Sequence, residues 1–210
     1  MDRRPERPAA GWPIREVLAS LSLPAPGTEI LASIARWLDR LAEWNAKMDL
    51  TAAKDGAALA WLMLADAAEL AGELAPNVSI VDVGTGAGAP GLGLALLRPD
   101  LHVTLVEPLR KRVAFLRTVL GELRRSDVTL LEKRGESLEP GVFDEAVSRA
   151  TLAPDEWLAL GTRLVRPGGG VWVLLAQGAA PEAPGCALDR ALEYATPSGG
   201  RRLLRYARRT

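Results

Sequence analysis

Residues 81–97 read VDVGTGAGAPGLGLALL, with glycines at 84, 86 and 88 between an apolar run and a stretch of helical character. Glycine reaches positive φ without a Cβ penalty and lets the backbone approach a ligand, so the loop marks a strand giving way to a helix. Downstream, short runs rich in branched residues recur at 102–107, 128–132, 145–148 and 171–175, separated by segments of helical length. With 78–83 they predict five strands alternating with helices, hence a parallel sheet with helices on both faces. Residues 187–195 and 201–207, around Pro197-Ser198-Gly199-Gly200, predict a closing antiparallel hairpin. Upstream the period is three to four: 14–21, 28–47 and 57–74 predict three helices with no strand signal. The expected fold class is therefore α/β, a helical cap over 1–76 and a sheet domain over 77–210, packed as one compact unit.

Bulk properties narrow the setting. The chain has 210 residues, 48% of them apolar, and 26 basic residues balance 26 acidic ones. No overall field announces nucleic acid, so a basic patch must be local; residues 201–210, with five arginines and no acid, are the candidate. One cysteine, Cys186, excludes an internal disulfide, and no metal site is expected. The longest apolar run, residues 57–65, is too short to span a bilayer, and the N-terminus lacks an apolar signal core. A soluble, cytoplasmic monomer without a membrane partner is expected, since no coiled-coil seam or long apolar stripe suggests a dimer.

The glycines sit where an open α/β sheet binds ligands, beyond the first strand. Gly84-Thr85-Gly86-Ala87-Gly88-Ala89 fits a loose dinucleotide pattern, and Glu107 ends the second strand, as expected of an acid taking a ribose hydroxyl pair. These features fit an adenosine-type cofactor without choosing between NAD and S-adenosylmethionine. Charge favours the second: NAD brings a pyrophosphate that Asp82 would repel, whereas a sulfonium and an ammonium attract it. The alternative is that Asp82 only caps the loop's own amides.

Longer motifs carry a family likeness. Trp44-Asn45 with Leu50-Thr51, the run from Asp82 to Pro90-Gly91, Val106-Glu107 with Lys111-Arg112 and Phe115-Leu116, and Ser148-Arg149-Ala150 follow in this order. Together they resemble the RsmG (GidB) family, bacterial methyltransferases acting on a guanine N7 of small-subunit 16S ribosomal RNA. The resemblance implies a class I, Rossmann-like methyltransferase fold with a helical cap, S-adenosylmethionine as cofactor, and ribosomal RNA in the small subunit as partner. It implies that Asp82, Gly84, Gly86 and Gly88 hold the methionine end of the cofactor, Glu107 its ribose, and Gly135-Glu136 its adenine edge, with Thr85 and Pro90 of the same loop as further cofactor-binding candidates. Arg149 and Arg201 become the catalytic candidates at the cleft, with Lys111 and Arg112 beside them as substrate-binding candidates.

Guanine N7 offers a free lone pair, so its methylation needs no general base. That suits a chain whose single histidine, His102, falls in a predicted central strand, where a structural role is expected. Arg149 could instead serve a surface salt bridge, and Arg201 could belong to a solvated basic tail. Trp37 and Trp44 read as cap packing; Trp12 stays open between packing and stacking. Asp49, Met63, Ala67 and Gln177 depart from the family pattern, on the substrate side rather than in the cofactor loop. Two alternatives stand beside rRNA methylation: a relative acting on another RNA or a small molecule, and a protein that binds the cofactor without catalysis.

Overall fold

The computed structural model describes residues 7–8, 11–21, 24, 26–53, 55–149 and 151–210. Three helices, α1 (Ile14–Ser20), α2 (Thr28–Met48) and α3 (Gly56–Glu73), precede the first strand. Strands β1 (Ser79–Val83), β2 (His102–Val106), β3 (Thr129–Leu131), β4 (Phe143–Ser148), β5 (Val165–Leu175), β6 (Cys186–Thr196) and β7 (Gly199–Arg208) follow. Between them lie α4 (Gly91–Leu97), α5 (Arg110–Glu122) and α6 (Pro154–Leu164), and a single turn of 3-10 helix, Gly135–Ser137, replaces a full helix between β3 and β4.

The sheet runs β3-β2-β1-β4-β5-β7-β6; β1 to β5 are parallel and β7 is antiparallel to both β5 and β6. Strand order reverses between β1 and β4, which opens a crevice at their carboxyl ends where such sheets bind ligands. Side chains alternate across the sheet with period two. Ile80, Val103, Leu105, Val147 and Trp172 join one apolar cluster, and Val81, Val106, Ala146, Val171 and Val173 join the other. The first cluster contains core residues from α1 to α5; among the described helices only α6 serves the second. Both faces are thus covered, but unevenly, because the β3 to β4 crossover has no helix.

The cap shares its core with the sheet domain. Cap residues Ile34, Leu41, Leu64 and Leu70 belong to the same apolar cluster as Leu92, Leu105 and Phe115. The approach of α3 to α4 depends on small residues: a Cβ on Gly93 would lie 2.8 Å from Ala67 Cβ and 3.4 Å from Met63 O. Arg98, just after α4, donates to Ala71 O at 2.6 Å and Leu74 O at 3.0 Å, satisfying carbonyls that the end of α3 leaves open. Trp12 is buried and donates to Asp39 Oδ1 at 2.7 Å, which makes it a packing residue.

Two expectations change. His102 opens β2 and is exposed at the amino end of the sheet, remote from the crevice; it is not covered on both faces, because the flanking helices leave the first residue of the strand open. Arg205 is no part of a solvated tail: its guanidinium reaches Glu145 at 2.6 Å, and Glu145, itself buried, also accepts Trp172 Nε1 at 2.9 Å.

Glycine substitutions separate packing from propensity. Gly93→Val drives a side chain into Ala67 and the Met63 carbonyl and is expected to destabilise the protein by ~1–3 kcal/mol. Gly72→Ala, on α3 with nothing near the new methyl, is expected to stabilise by ~0.5–1 kcal/mol. Urea unfolding measures both, and the two shifts should have opposite signs.

Candidate active site

The chain leaves β1 through Gly84, Gly86 and Gly88, at φ of +73°, +62° and +105°. Positive φ at alternate positions folds the loop back on itself, which only glycine tolerates without strain. Two carboxylates hold it. Asp82 Oδ2 accepts the Gly91 amide at 2.8 Å, and a Cβ on Gly91 would come within 2.7 Å of that oxygen. Glu107, at the end of β2, accepts Gly86 N at 3.0 Å with one oxygen and Leu109 N at 2.9 Å with the other. From the cap, Trp37 Nε1 donates to Ala87 O at 3.0 Å. The capping role left open for Asp82 is therefore real for one oxygen. Its other oxygen and the Thr85 hydroxyl are buried and close to one another, and neither makes a hydrogen bond of ordinary geometry among the described residues.

Around this loop lies a cavity of about 500 Å³. It brings together Gly84, Thr85, Gly86, Glu107, Arg112 and Arg149, six of the candidates read from the sequence. Thr51, Met63, Leu109 and Thr151 are also on the wall, and nothing in their local sequence marked the last two. Other candidates stand behind the wall, Asp82 among them. A Cβ on Gly88 would meet Leu92 at 2.9 Å and Trp37 at 3.2 Å, so this glycine serves packing. Pro90 is the residue before α4, joined to Ala89 by a cis peptide bond. Gly135 is packed against Val83, Glu136 is exposed, and neither lines the cavity; Lys111 faces solvent.

The cavity fits the cofactor expected from the sequence. A Cβ on Gly86 would meet only Gly84 O, at 3.9 Å, so the backbone there is open to a ligand. Each Glu107 oxygen accepts one amide, and with Arg112 Nη1 no nearer than 3.7 Å to Oε2 the carboxylate keeps lone pairs for a hydroxyl donor. Buried acids with spare acceptor capacity suit a cationic, hydroxyl-bearing ligand and would repel a pyrophosphate.

Arg149 follows β4 and stands at the rim of this cavity. Its Nη1 donates to Asp66 Oδ2 at 3.0 Å and, at shorter range, to Leu62 O, both on α3. Tyr194 of β6 donates its hydroxyl to the other oxygen of Asp66. Burial, and then the Asp66 carboxylate, hold that phenol well above its ordinary range, so it stays a donor. The helix α3 thus holds the guanidinium directly, and β6 braces the Asp66 carboxylate that does so. Arg201 lies across a neighbouring pocket that Arg149 also lines, beside the β6–β7 turn. Sequence reasoning missed the Asp66–Tyr194 pair, because its members are 128 positions apart.

The geometry agrees with what comparison finds. The sequence profile of the GidB family, described as rRNA small subunit methyltransferase G, matches residues 30–194. The chain belongs to this family. A "Ribosomal RNA small subunit methyltransferase G" of Anaeromyxobacter sp. (strain Fw109-5) is 38% identical over 161 residues, 75% of this chain and 74% of the relative. One from Xanthomonas oryzae pv. oryzae (strain MAFF 311018) is 38% identical over 143 residues, 68% and 67% of the two chains. Among solved structures, TrmN from Thermus thermophilus superposes with a TM-score of 0.51 at 20% identity, covering 68% of this chain and 47% of that one. YcgJ from Bacillus subtilis gives 0.52 at 10%, covering 66% and 94%; at such identities the likeness concerns the fold alone. Fold and family make this a class I methyltransferase and imply S-adenosylmethionine as the methyl donor. No helix among the described residues is long and apolar enough to cross a membrane.

Burial pushes the Asp82 carboxyl up to about 6, against the opposing pull of the nearby Thr85 hydroxyl, the Gly91 amide and Arg149. Folding therefore favours the protonated form. The stability this group contributes is present below pH ~4 and is lost as pH rises through the folded value. Asp82→Asn keeps an acceptor for Gly91 and cannot ionise. Its unfolding free energy should fall less than that of the parent between about pH 5 and about pH 7, and equal slopes by urea titration would contradict the assignment.

Proposed function

We propose that the protein transfers a methyl group from S-adenosylmethionine to N7 of a guanine in 16S ribosomal RNA, acting as a cytoplasmic monomer on the small ribosomal subunit. The reading is carried by the position of Arg149, shared between the glycine-loop cavity and the pocket beside it. When bound, the cofactor supplies an electrophilic sulfonium methyl, which guanine N7 can accept through its lone pair without giving up a proton. Accordingly no base is needed near the junction, and the one histidine is at the far end of the sheet.

The chain's own contribution is placement. Asp82, Gly84, Thr85, Gly86 and Glu107 would orient the donor, with Gly88 and Pro90 shaping the loop from behind and Gly135-Glu136 bordering its outer side. Arg149, held by Asp66 and the Leu62 carbonyl, would present its remaining donors to the acceptor nucleotide. Arg201 and Arg112, with Lys111 outside them, would add phosphate contacts whose strength falls with salt. Alignment of two reactants in this manner can supply ~7 to 11 kcal/mol of the barrier in favourable systems.

The test is transfer of labelled methyl to purified bacterial small subunits lacking the native guanine-N7 mark, with extracted RNA and a metabolite pool in parallel. Label at a guanine N7 of subunit RNA is the expected result, and label confined to the metabolites would refute it. Arg149→Ala is expected to lower turnover ~100-fold while leaving S-adenosylhomocysteine affinity by calorimetry nearly unchanged. If affinity fell as far as turnover, Arg149 would belong to the donor side.

A further inference from the structure

Beside the cofactor cavity lies a second pocket, of about 550 Å³, that shares Ala52, Leu62 and Arg149 with it. One wall is a face of α3, where Ala58, Trp61, Leu62 and Ala65 recur at helical spacing. The opposite wall is the β6–β7 turn with Pro197, and Arg201 stands at its edge. Trp61 is only partly buried. Alanines three residues before it and four after it stand beside the indole on the helix, so small side chains flank the ring.

Four of the other five indoles hold a hydrogen bond: Trp12 to Asp39, Trp37 to Ala87 O, Trp157 to Trp172 O and Trp172 to Glu145. Trp44 packs edge-on against Phe115, with centroids 5.6 Å apart. Trp61 is the indole set on the wall of an apolar slot next to the donor site.

We infer that this slot receives the acceptor base, an unpaired purine of RNA turned out of its stack, with Trp61 as its stacking surface and Arg201 on its phosphate. The inference rests on the proposed methyl transfer to RNA and adds the place where the base lies. A base must leave its stack to reach an enclosed methyl donor, and an aromatic wall compensates part of the stacking lost. The charges agree. Asp66 is committed to Arg149 and Tyr194, and Asp55 caps α3 by accepting Ala58 N at 2.8 Å. Among the described residues no carboxylate lies within ion-pair distance of Arg201, whose guanidinium reaches only Ser198 Oγ at 3.4 Å. An anionic group at that edge and a planar apolar one inside describe a nucleotide better than a peptide or a lipid.

Trp61→Leu keeps apolar bulk and removes the π face, whereas Trp61→Phe keeps both. On methyl-acceptor subunits, Trp61→Leu is expected to lower kcat/KM by about 5- to 150-fold, with Trp61→Phe retaining most of it. Unfolding midpoint and S-adenosylhomocysteine affinity should match the parent in both variants. As a direct readout, guanosine monophosphate added to the full chain with S-adenosylhomocysteine bound should quench indole emission in the parent and not in Trp61→Phe. Ribose 5-phosphate, which has the charge but no base, should quench neither. Parent-like transfer by Trp61→Leu, or quenching that survives in Trp61→Phe, would overturn the base pocket. Should the parent fail to methylate RNA while guanosine monophosphate still quenches through Trp61, the pocket stands and the rRNA reading falls.

Discussion

Two buried carboxylates hold the glycine loop, and the site depends on them. Asp82 and Glu107 lie at the carboxyl ends of neighbouring parallel strands, so the sheet's register sets their separation; Glu107 accepts an amide of the loop and Asp82 the first amide of α4. Charged groups at such depth are costly unless hydrogen-bonded. The loop and the start of α4 supply those bonds, across a segment that takes positive φ at Gly84, Gly86 and Gly88. What remains unspent, one oxygen of Asp82 and the second lone pairs of Glu107, is the acceptor capacity a cationic, hydroxylated ligand requires.

The cap is bound into the same arrangement. Trp37 braces the loop at Ala87, Arg98 closes the end of α3, and Gly93 lets α3 and α4 approach until Asp66 reaches Arg149. Of the positions that depart from the family pattern, Met63 lines the cofactor cavity and Ala67 is the small partner of Gly93. Gln177 lines an outer pocket at the hairpin, and Asp49 is exposed at the end of α2, outside both inner cavities. The extra carboxylate at Asp49 is therefore not a repulsive group inside either chamber.

Much of the fold was legible because period is a local property. The three cap helices and the first four strands begin and end within about two residues of where their apolar spacing puts them. β5 is longer than its alternation predicts: its first residues, Val165-Arg166-Pro167-Gly168-Gly169-Gly170, carry no alternation and are extended where β4 runs beside them. At the site, glycines and terminal acids announced themselves by type and position, and the Pro90-Gly91 pair and Ser-Arg-Ala motif by resemblance. The rest lay hidden in pairings across long separations. Nothing near Trp37 says that its indole reaches Ala87, and nothing near Tyr194 says that it completes Asp66. Gly88 was legible as a loop glycine but not as a packing one, since Trp37, its neighbour in space, is 51 positions away.

The most direct test of the donor site is a crystal structure of the full chain with S-adenosylhomocysteine. The ligand is expected in the cavity between Gly86 and Arg149, its ribose hydroxyls on Glu107 and its charged end toward Asp82. Ligand bound instead in the Trp61 pocket, or in the loop cavity with Glu107 making no contact, would contradict that placement.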